Sequence, residues 1–417
     1  MGTSRSNALF LAVTCIQYYL PITCLNLKEV NLHKELFDKY NQNVMPQENK
    51  SAPIEVTLDM VLMSIDEVDE KRQTISIKAF LEIQWHDAFL SWNSSKYPEI
   101  SRINVKNSDI WIPDVVLRDT YDKLTDLGQI DGKANVESSG LVTIWPYSIY
   151  TVTCKVFIGK FPFDKQSCQF DFQSWSHSRS DLVLKSKQKK PGLKVYKESG
   201  EWDLVSTKVE LESRPYGNDS WDHVLFHFEL KRKSLYHVMN VFVPVLCISV
   251  LSIVSFLLPS ESGERVTFSI SIFLTLAVFL TTVNSSMPES SDEVASFSVY
   301  VGLQLFGSAL TIMLTIISLN LFHRDESRSI PKLFKMLVNI CGVQNPNDEY
   351  HITMDVQNEN TINCQNEASA NEHIKLGKEN DNVTWRMVSS ALDKLCLFSA
   401  IFWHIILTAS LMISVTN

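Results

Sequence analysis

Between residues 264 and 285 the sequence places Glu264, Thr267, Ser271, Leu274, Val278, Thr281 and Ser285 at steps of three and four, so on a helix they share one face. That face is polar at both ends and has a hydrophobic waist. If copies of such a helix surround an axis, the Leu274 and Val278 rings can block ions by dewetting, while a ring of Glu264 carboxylates attracts cations at one mouth. A packed membrane bundle with serine and threonine as interhelical glue fits the same pattern and stays open on spacing alone. No motif assembles a nucleophile, a base and an oxyanion site, no zinc ligand set is present, and no cofactor is called for. An enzyme is therefore not expected.

The elements that must position this face follow from hydropathy. Four apolar stretches, about 238–258, 266–283, 294–321 and 395–415, each approach the roughly 20 helical residues that cross hydrocarbon. Arg324, Arg328, Lys332 and Lys335 directly follow the third stretch and put that side in the cytoplasm, whereas Lys231, Arg232 and Lys233 before the first oppose the rule. Residues 1–24, with Arg5 ahead of the apolar run from Ala8 to Ile22, read as a secretory signal that can override them.

From 25 to 233 apolar and polar residues alternate, as in Ile75, Ile77, Ala79, Leu81, Ile83 and Trp85, which indicates half-buried antiparallel strands. The charged run Asp66 to Lys71 reads as a turn, and a helix is expected over Leu27 to Tyr40. The organisation expected is thus multidomain β plus membrane α: an extracellular β-sandwich (25–233), then a four-helix transmembrane bundle. Three helices fall within 234–322, and the fourth lies in 395–417 with an extracellular C-terminus. A cytoplasmic loop with a helical end (323–394) joins them. Its stretch 345–381, rich in Asn, Glu, Gln and Asp, cannot bury enough surface to fold alone.

The chain has 417 residues and a formal net charge of -9, and no basic run suggests a nucleic-acid partner. Of eight cysteines, only Cys154 and Cys168 fall outside the presumed signal and the membrane and cytoplasmic segments, so they are expected to pair in an oxidising compartment. The thirteen residues between them correspond to roughly 3 kcal/mol of loop-closure stabilisation. Asn49, Asn93 and Asn218 open N-x-Ser sequons on the outer side and are candidate glycan sites.

The stretch Cys154 to Cys168, with Phe161-Pro162-Phe163-Asp164 and Gln166 inside it, resembles the signature loop of the Cys-loop receptors. The likeness continues through Trp111-x-Pro113-Asp114, Ser174-Trp175-Ser176, Glu201-Trp202-Asp203-Leu204, Pro244 and Ser262-Gly263-Glu264-Arg265, and is closest in pattern to nicotinic acetylcholine receptor subunits. It implies a pentamer of identical or homologous subunits in the plasma or postsynaptic membrane, ligand sites between subunits and one axial pore lined by the second membrane helix. Anion-selective relatives usually lack a glutamate at the place of Glu264, so cations are the expected permeants; Ser285 stands where many cation-selective relatives are acidic. Phe157 is a departure, since relatives usually carry an acidic residue there.

In this family a cationic ligand sits between aromatic faces through the ring quadrupole. The resemblance carries that role to Trp175, Tyr216 and Trp221 on the principal face, and to Phe80, Thr143 and Trp145 on the complementary face. Phe80 also stands out by itself: alternation places it with Lys78, Glu82 and Gln84 on the polar side of its strand, where a large aromatic is out of place. His177 lies beside Trp175, and its readings as a metal ligand and as a hydrogen-bonded surface histidine are both open.

Two features depart from acetylcholine-binding alpha-type subunits. The capping segment has no adjacent cysteine pair, and Arg118 stands where the first aromatic usually sits. A guanidinium there disfavours a simple quaternary amine and can pair with a carboxylate. The expected ligand is a small extracellular amine or zwitterion with an anionic or strongly polar group. An auxiliary subunit that binds no agonist is the alternative.

Overall fold

The computed structural model describes residues 27–47, 52–121, 123, 127, 132–285, 287, 294–343 and 383–416. The presumed signal (1–24), Asn49 and the polar stretch 345–381 lie outside the described residues. The chain divides into two compact units: Met1–Phe157 with Phe163–Lys233, and Ile158–Pro162 with Ser234–Asn417.

The first unit opens with a helix, α1 (27–37), and continues as two sheets. One has seven strands, β1 (Ile54–Asp69), β2 (Thr74–His86), β3 (Arg102–Lys106), β5 (Lys133–Glu137), β6 (Leu141–Ile144), β7 (Tyr147–Thr153) and β9 (Leu182–Lys185), in the order β3-β5-β6-β2-β1-β9 with β7 also on β2; the other, made of β4 (Val115–Leu117), β8 (Lys165–Ser174), β10 (Trp202–Tyr216) and β11 (Asp219–Arg232), runs β10-β11-β8-β4. In β2 (Thr74–His86), Ile75, Ile77, Ala79, Leu81, Ile83 and Trp85 are buried while Lys78, Phe80, Glu82 and Gln84 point out, as period-two alternation requires. β1 (Ile54–Asp69) pairs antiparallel with β2 and parallel with β9 (Leu182–Lys185).

The charged run Asp66 to Lys71 is not all turn. β1 continues to Asp69 through register shifts between Leu62 and Ser64 and between Ile65 and Glu67, and the turn proper is 70–73. Such bulges break the alternation that marks a strand. In the second sheet, β8 (Lys165–Ser174) and β11 (Asp219–Arg232) face the core through Phe170, Phe172, Phe226 and Phe228. Cys154 and Cys168 form the expected disulfide, their Cα atoms 5.5 Å apart.

The second unit holds four helices long and apolar enough to cross a membrane: α2 (Leu235–Leu257), α3 (Arg265–Ser285), α4 (Ser296–Phe322) and α6 (Trp385–Thr416). A short helix, α5 (Lys332–Cys341), packs against α6. The fourth helix begins ahead of its apolar stretch because Arg386, Asp393 and Lys394 dilute the hydropathy of its first turns. Asp393 nonetheless belongs to the interior: both its oxygens accept from the fully buried Arg265, at 2.8 Å each, and Ser318 donates to it at 2.7 Å.

Candidate functional site

Register across the second sheet assembles the principal face. β8 and β11 pair from Lys165↔Lys231 to Gln173↔His223, so two residues further along each strand stand Trp175 and Trp221. β10 (Trp202–Tyr216) pairs Arg214 with Trp221 and Tyr216 with Asp219. β4 (Val115–Leu117) pairs with β8, and the Arg118 amide donates to the Asp171 carbonyl at 2.8 Å. Paired residues point to the same side of a sheet. Arg118, Asp171, Trp175, Arg214, Tyr216, Trp221 and His223 therefore share one face, opposite the phenylalanine core. Trp175 is 58% exposed and Tyr216 50%, and the Tyr216 and Trp221 rings meet edge to face at 5.8 Å.

Asp114 fixes the Trp175 segment: it accepts from Ser174 Oγ and from the Ser176 amide, both at 2.6 Å, and its carbonyl accepts from the Trp175 amide at 3.2 Å. The His177 amide donates to Ser174 Oγ at 3.1 Å. Among the described residues no group of three or more His, Cys, Asp or Glu side chains is disposed to hold a metal.

Beneath the aromatics lies a charge cluster that sequence reading missed. Asp171 is fully buried; its Oδ2 accepts from Arg214 at 2.9 Å and from Arg118 at 3.3 Å, and its Oδ1 lies 2.8 Å from His223 Nδ1. Arg118 also lies 3.7 Å from Asp119. The carboxylate partner of Arg118 is thus internal. Arg214 donates further to Glu212 at 2.7 Å, a contact that holds the exposed Glu212 carboxyl below the usual range. Only the pairing of four strands brings these residues together, so no local motif announces them.

On the other sheet Phe80 points outward, opposite Tyr147, which is 54% exposed and also escaped the sequence reading. The outward alternation of Tyr147 and Ile149 against buried Tyr150 and Val152 was its signal. Thr143, paired with Gln84, is buried, whereas Trp145 is 47% exposed. Asn93 and Asn218 are both exposed.

Below the sandwich core, Arg232 is buried between Asp164, which it meets in a two-point pair at 2.8 and 3.1 Å, and Glu70 at 2.6 Å, with its guanidinium 4.2 Å from the Trp202 ring. Gln166 ties the disulfide loop, accepting from the Phe157 amide and donating to the Phe157 carbonyl, both at 2.9 Å. Phe157 itself is 47% exposed.

In the second unit, α3 buries Arg265, Ser269, Ile272, Leu276 and Val283. Glu264, Thr267, Ser271, Leu274, Val278, Thr281 and Ser285 all fall on its exposed side, Leu274 and Val278 at 57% and 64%. Its hydroxyls donate to carbonyls one turn back: Ser271 to Thr267, Thr275 to Ser271 and Thr281 to Val278, each at 2.8 Å.

Residues 29–234 match the neurotransmitter-gated ion-channel ligand binding domain, and residues 241–371 match the neurotransmitter-gated ion-channel transmembrane region. The chain is 32% identical to the neuronal acetylcholine receptor subunit alpha-2 of Gallus gallus over 301 residues, 72% of this chain and 57% of that one. It is 32% identical to acetylcholine receptor subunit alpha-1-B of Xenopus laevis, covering 66% of it, and 31% identical to acetylcholine receptor subunit alpha of Danio rerio, covering 72%. The chain thus spans under three fifths of the length of the chicken relative. With an extracellular β-sandwich followed by four membrane helices, this chain belongs to the neurotransmitter-gated ion-channel family and is related to nicotinic acetylcholine receptor subunits.

Proposed function

We propose that the chain is a subunit of a pentameric, cation-selective channel opened by a small extracellular ligand bound between subunits. One observation carries this reading: α3 leaves outward, on a single chain, the row that would line a shared axis, with Glu264 at one end and Leu274 and Val278 at its waist. Among the described residues nothing covers that row, and rings of like helices would turn it toward water.

Trp175, Tyr216 and Trp221 form the principal face of the ligand site, with Arg118 and His177 at its edge; Phe80, Thr143 and Trp145 form the complementary face. Each aromatic contact with a cation contributes roughly 0.5 to 2 kcal/mol. The ligand combines a cationic group with an anionic or strongly polar one, which Arg118 meets. Undiminished acetylcholine currents from Arg118→Ala would remove that role. The test of the whole reading is expression of this chain alone in oocytes with a ligand screen. Agonist-evoked current reversing as for a cation channel supports it, and Leu274→Ser should then raise the current at rest.

A second reading, an auxiliary non-alpha subunit that binds no agonist, draws on Arg118 and Arg214 both being committed to Asp171, together with the missing cysteine pair. Currents only upon co-expression with a second subunit, unchanged by Trp175→Ala, would favour it.

A further inference from the structure

Between Asp181 and Glu198 the chain carries six lysines, Lys185, Lys187, Lys189, Lys190, Lys194 and Lys197, and no acidic residue, although its net charge is -9. All six are exposed. Lys185 pairs with Glu55 at 2.6 Å, and Lys187 donates to the neutral amide oxygen of Gln84. Among the described residues, the ammonium groups of Lys189, Lys190, Lys194 and Lys197 have no hydrogen-bond or ion-pair partner.

The backbone beneath these lysines is fixed to both sheets. Ser186 Oγ and the amides of Lys187 and Gln188 donate to Oδ1 of the buried Asp59 at 2.6, 3.1 and 3.2 Å. The Lys189 carbonyl accepts from the Val209 amide of β10 at 2.9 Å. On β1, the Gly192 amide donates to the Met60 carbonyl at 2.8 Å, the Leu62 amide donates to the Gly192 carbonyl at 2.9 Å, and the Lys197 amide donates to the Met63 carbonyl at 2.8 Å. Lysines often guard an open strand edge, but here both flanks are already paired at these points. Like charges held this close repel one another, and mixed signs would serve solubility as well. A rigid row of cations without partners suits a polyanion, because little ordering of the protein is left to do on binding.

Geometry narrows the partner. Lys185 pairs with Thr57 and Lys197 bonds to Met63, six residues further along β1, a span of about 20 Å at roughly 3.3 Å per residue. A small anion reaches one or two ammonium groups over that distance, whereas a linear polymer reaches them all. Leu193 and Val195, exposed at 43% and 46%, flank Lys194 and form no continuous apolar centre such as a protein interface has. The unit is extracellular, which sets nucleic acid aside. Lysine is a compact point charge without the fork that reads planar carboxylates, and it suits sulfate groups strung along a flexible chain.

We infer that residues 185–197 form a docking surface for a sulfated polysaccharide outside the cell, held chiefly by Lys189, Lys190, Lys194 and Lys197. Lysine-rich stretches of this length are a heparin-type signature. The assignment is independent of the agonist and of pore selectivity.

The full chain, purified in detergent, tests this by surface plasmon resonance on immobilised heparin, on hyaluronan, which carries carboxylates but no sulfate, and on poly-glutamate. Heparin should bind at least about tenfold more tightly than either, and the binding should weaken as salt rises. Lys189→Gln with Lys190→Gln, Lys194→Gln and Lys197→Gln should raise the heparin Kd at least about tenfold. The same four positions changed to Arg should keep it. Lys34→Gln with Lys39→Gln, Lys106→Gln and Lys133→Gln removes equal charge from exposed positions elsewhere on the unit and should leave the Kd within about twofold. If the first set aggregates, Lys190→Gln and Lys194→Gln taken singly must each still weaken binding about twofold. Equal binding of heparin and hyaluronan, or equal losses in the two fourfold glutamine variants, would overturn the proposal. Poly-glutamate bound as tightly as heparin would give the surface to an acidic protein segment instead and overturn it as well.

Discussion

The two units of this chain solve burial in opposite ways. In the extracellular sandwich the interior is Leu58, Met60, Leu62, Phe170, Phe172, Phe226 and Phe228, and polar groups turn outward. In the membrane unit the middle of α4, between residues 304 and 318, buries Gln304, Ser308, Thr311, Thr315 and Ser318, whereas Phe306, Leu310 and Met313 face out. What is buried depends on the solvent outside. In water, apolar burial drives the fold at about 25 cal/mol per Å². In lipid that drive vanishes between helices, and close packing with hydrogen bonds takes over. Gly307 illustrates this: a Cβ there would come within 2.7 Å of the Trp403 ring nitrogen, so the bare backbone lets α6 approach.

The contrast can be broken by substitution. Phe226→Ala should lower the stability of the sandwich by about 3–5 kcal/mol, while Phe402→Ala, at a site 67% exposed on α6, should change the bundle by less than about 0.5 kcal/mol. Thermal unfolding of the full chain in detergent reads both. Equal losses would mean that Phe402 is covered.

Charge burial sharpens the comparison. Asp393→Asn would strand Arg265, buried in the bundle with Ser260 Oγ at 3.3 Å as its other partner, and should cost about 3–5 kcal/mol. Asp164→Asn leaves Arg232 its second carboxylate, Glu70 at 2.6 Å, so the loss should be the smaller of the two. The relative surface expression and melting temperature of the two variants check the order.

A third prediction concerns pH. Burial pushes the Asp87 carboxyl above the ordinary aspartate range, even though Tyr40 donates to it at 2.6 Å and the Phe89 amide at 2.9 Å. The folded state then holds this proton more tightly than the unfolded one. As pH rises past the ordinary value of about 3.9, this group costs stability, by at most about 1.4 kcal/mol per pH unit, until it has ionised in the fold. Asp87→Asn should flatten that part of the melting curve against pH. A small effect is also expected at Thr315, whose hydroxyl is buried in the bundle without a partner among the described residues. Thr315→Val should be neutral or stabilising by up to about 1 kcal/mol, read from the same melts.

Much of this was legible in the sequence because it is periodic. Phe80 emerges on the polar side of its strand, and the exposed row of α3 falls where steps of three and four put it. The Asp171 cluster was not legible, since Arg118, Arg214 and His223 reach that carboxylate only through pairings across separate strands. The bulges in β1 hid its last residues for a related reason: they interrupt the period by which strands are read. The start of α6 was obscured by Asp393, a charge that looks solvated until its distant partner Arg265 is known.

The hydroxyls of α3 carry one more implication. Ser271, Thr275 and Thr281 each commit their proton inward to the helix's own backbone. What such a side chain can still offer outward is oxygen electron density, with no hydrogen left to give. An edge of this kind solvates a passing cation without carrying any net charge and has nothing with which to greet an anion. In the channel proposed above, discrimination by sign would then be distributed along the helix, beyond the acidic residue at its end.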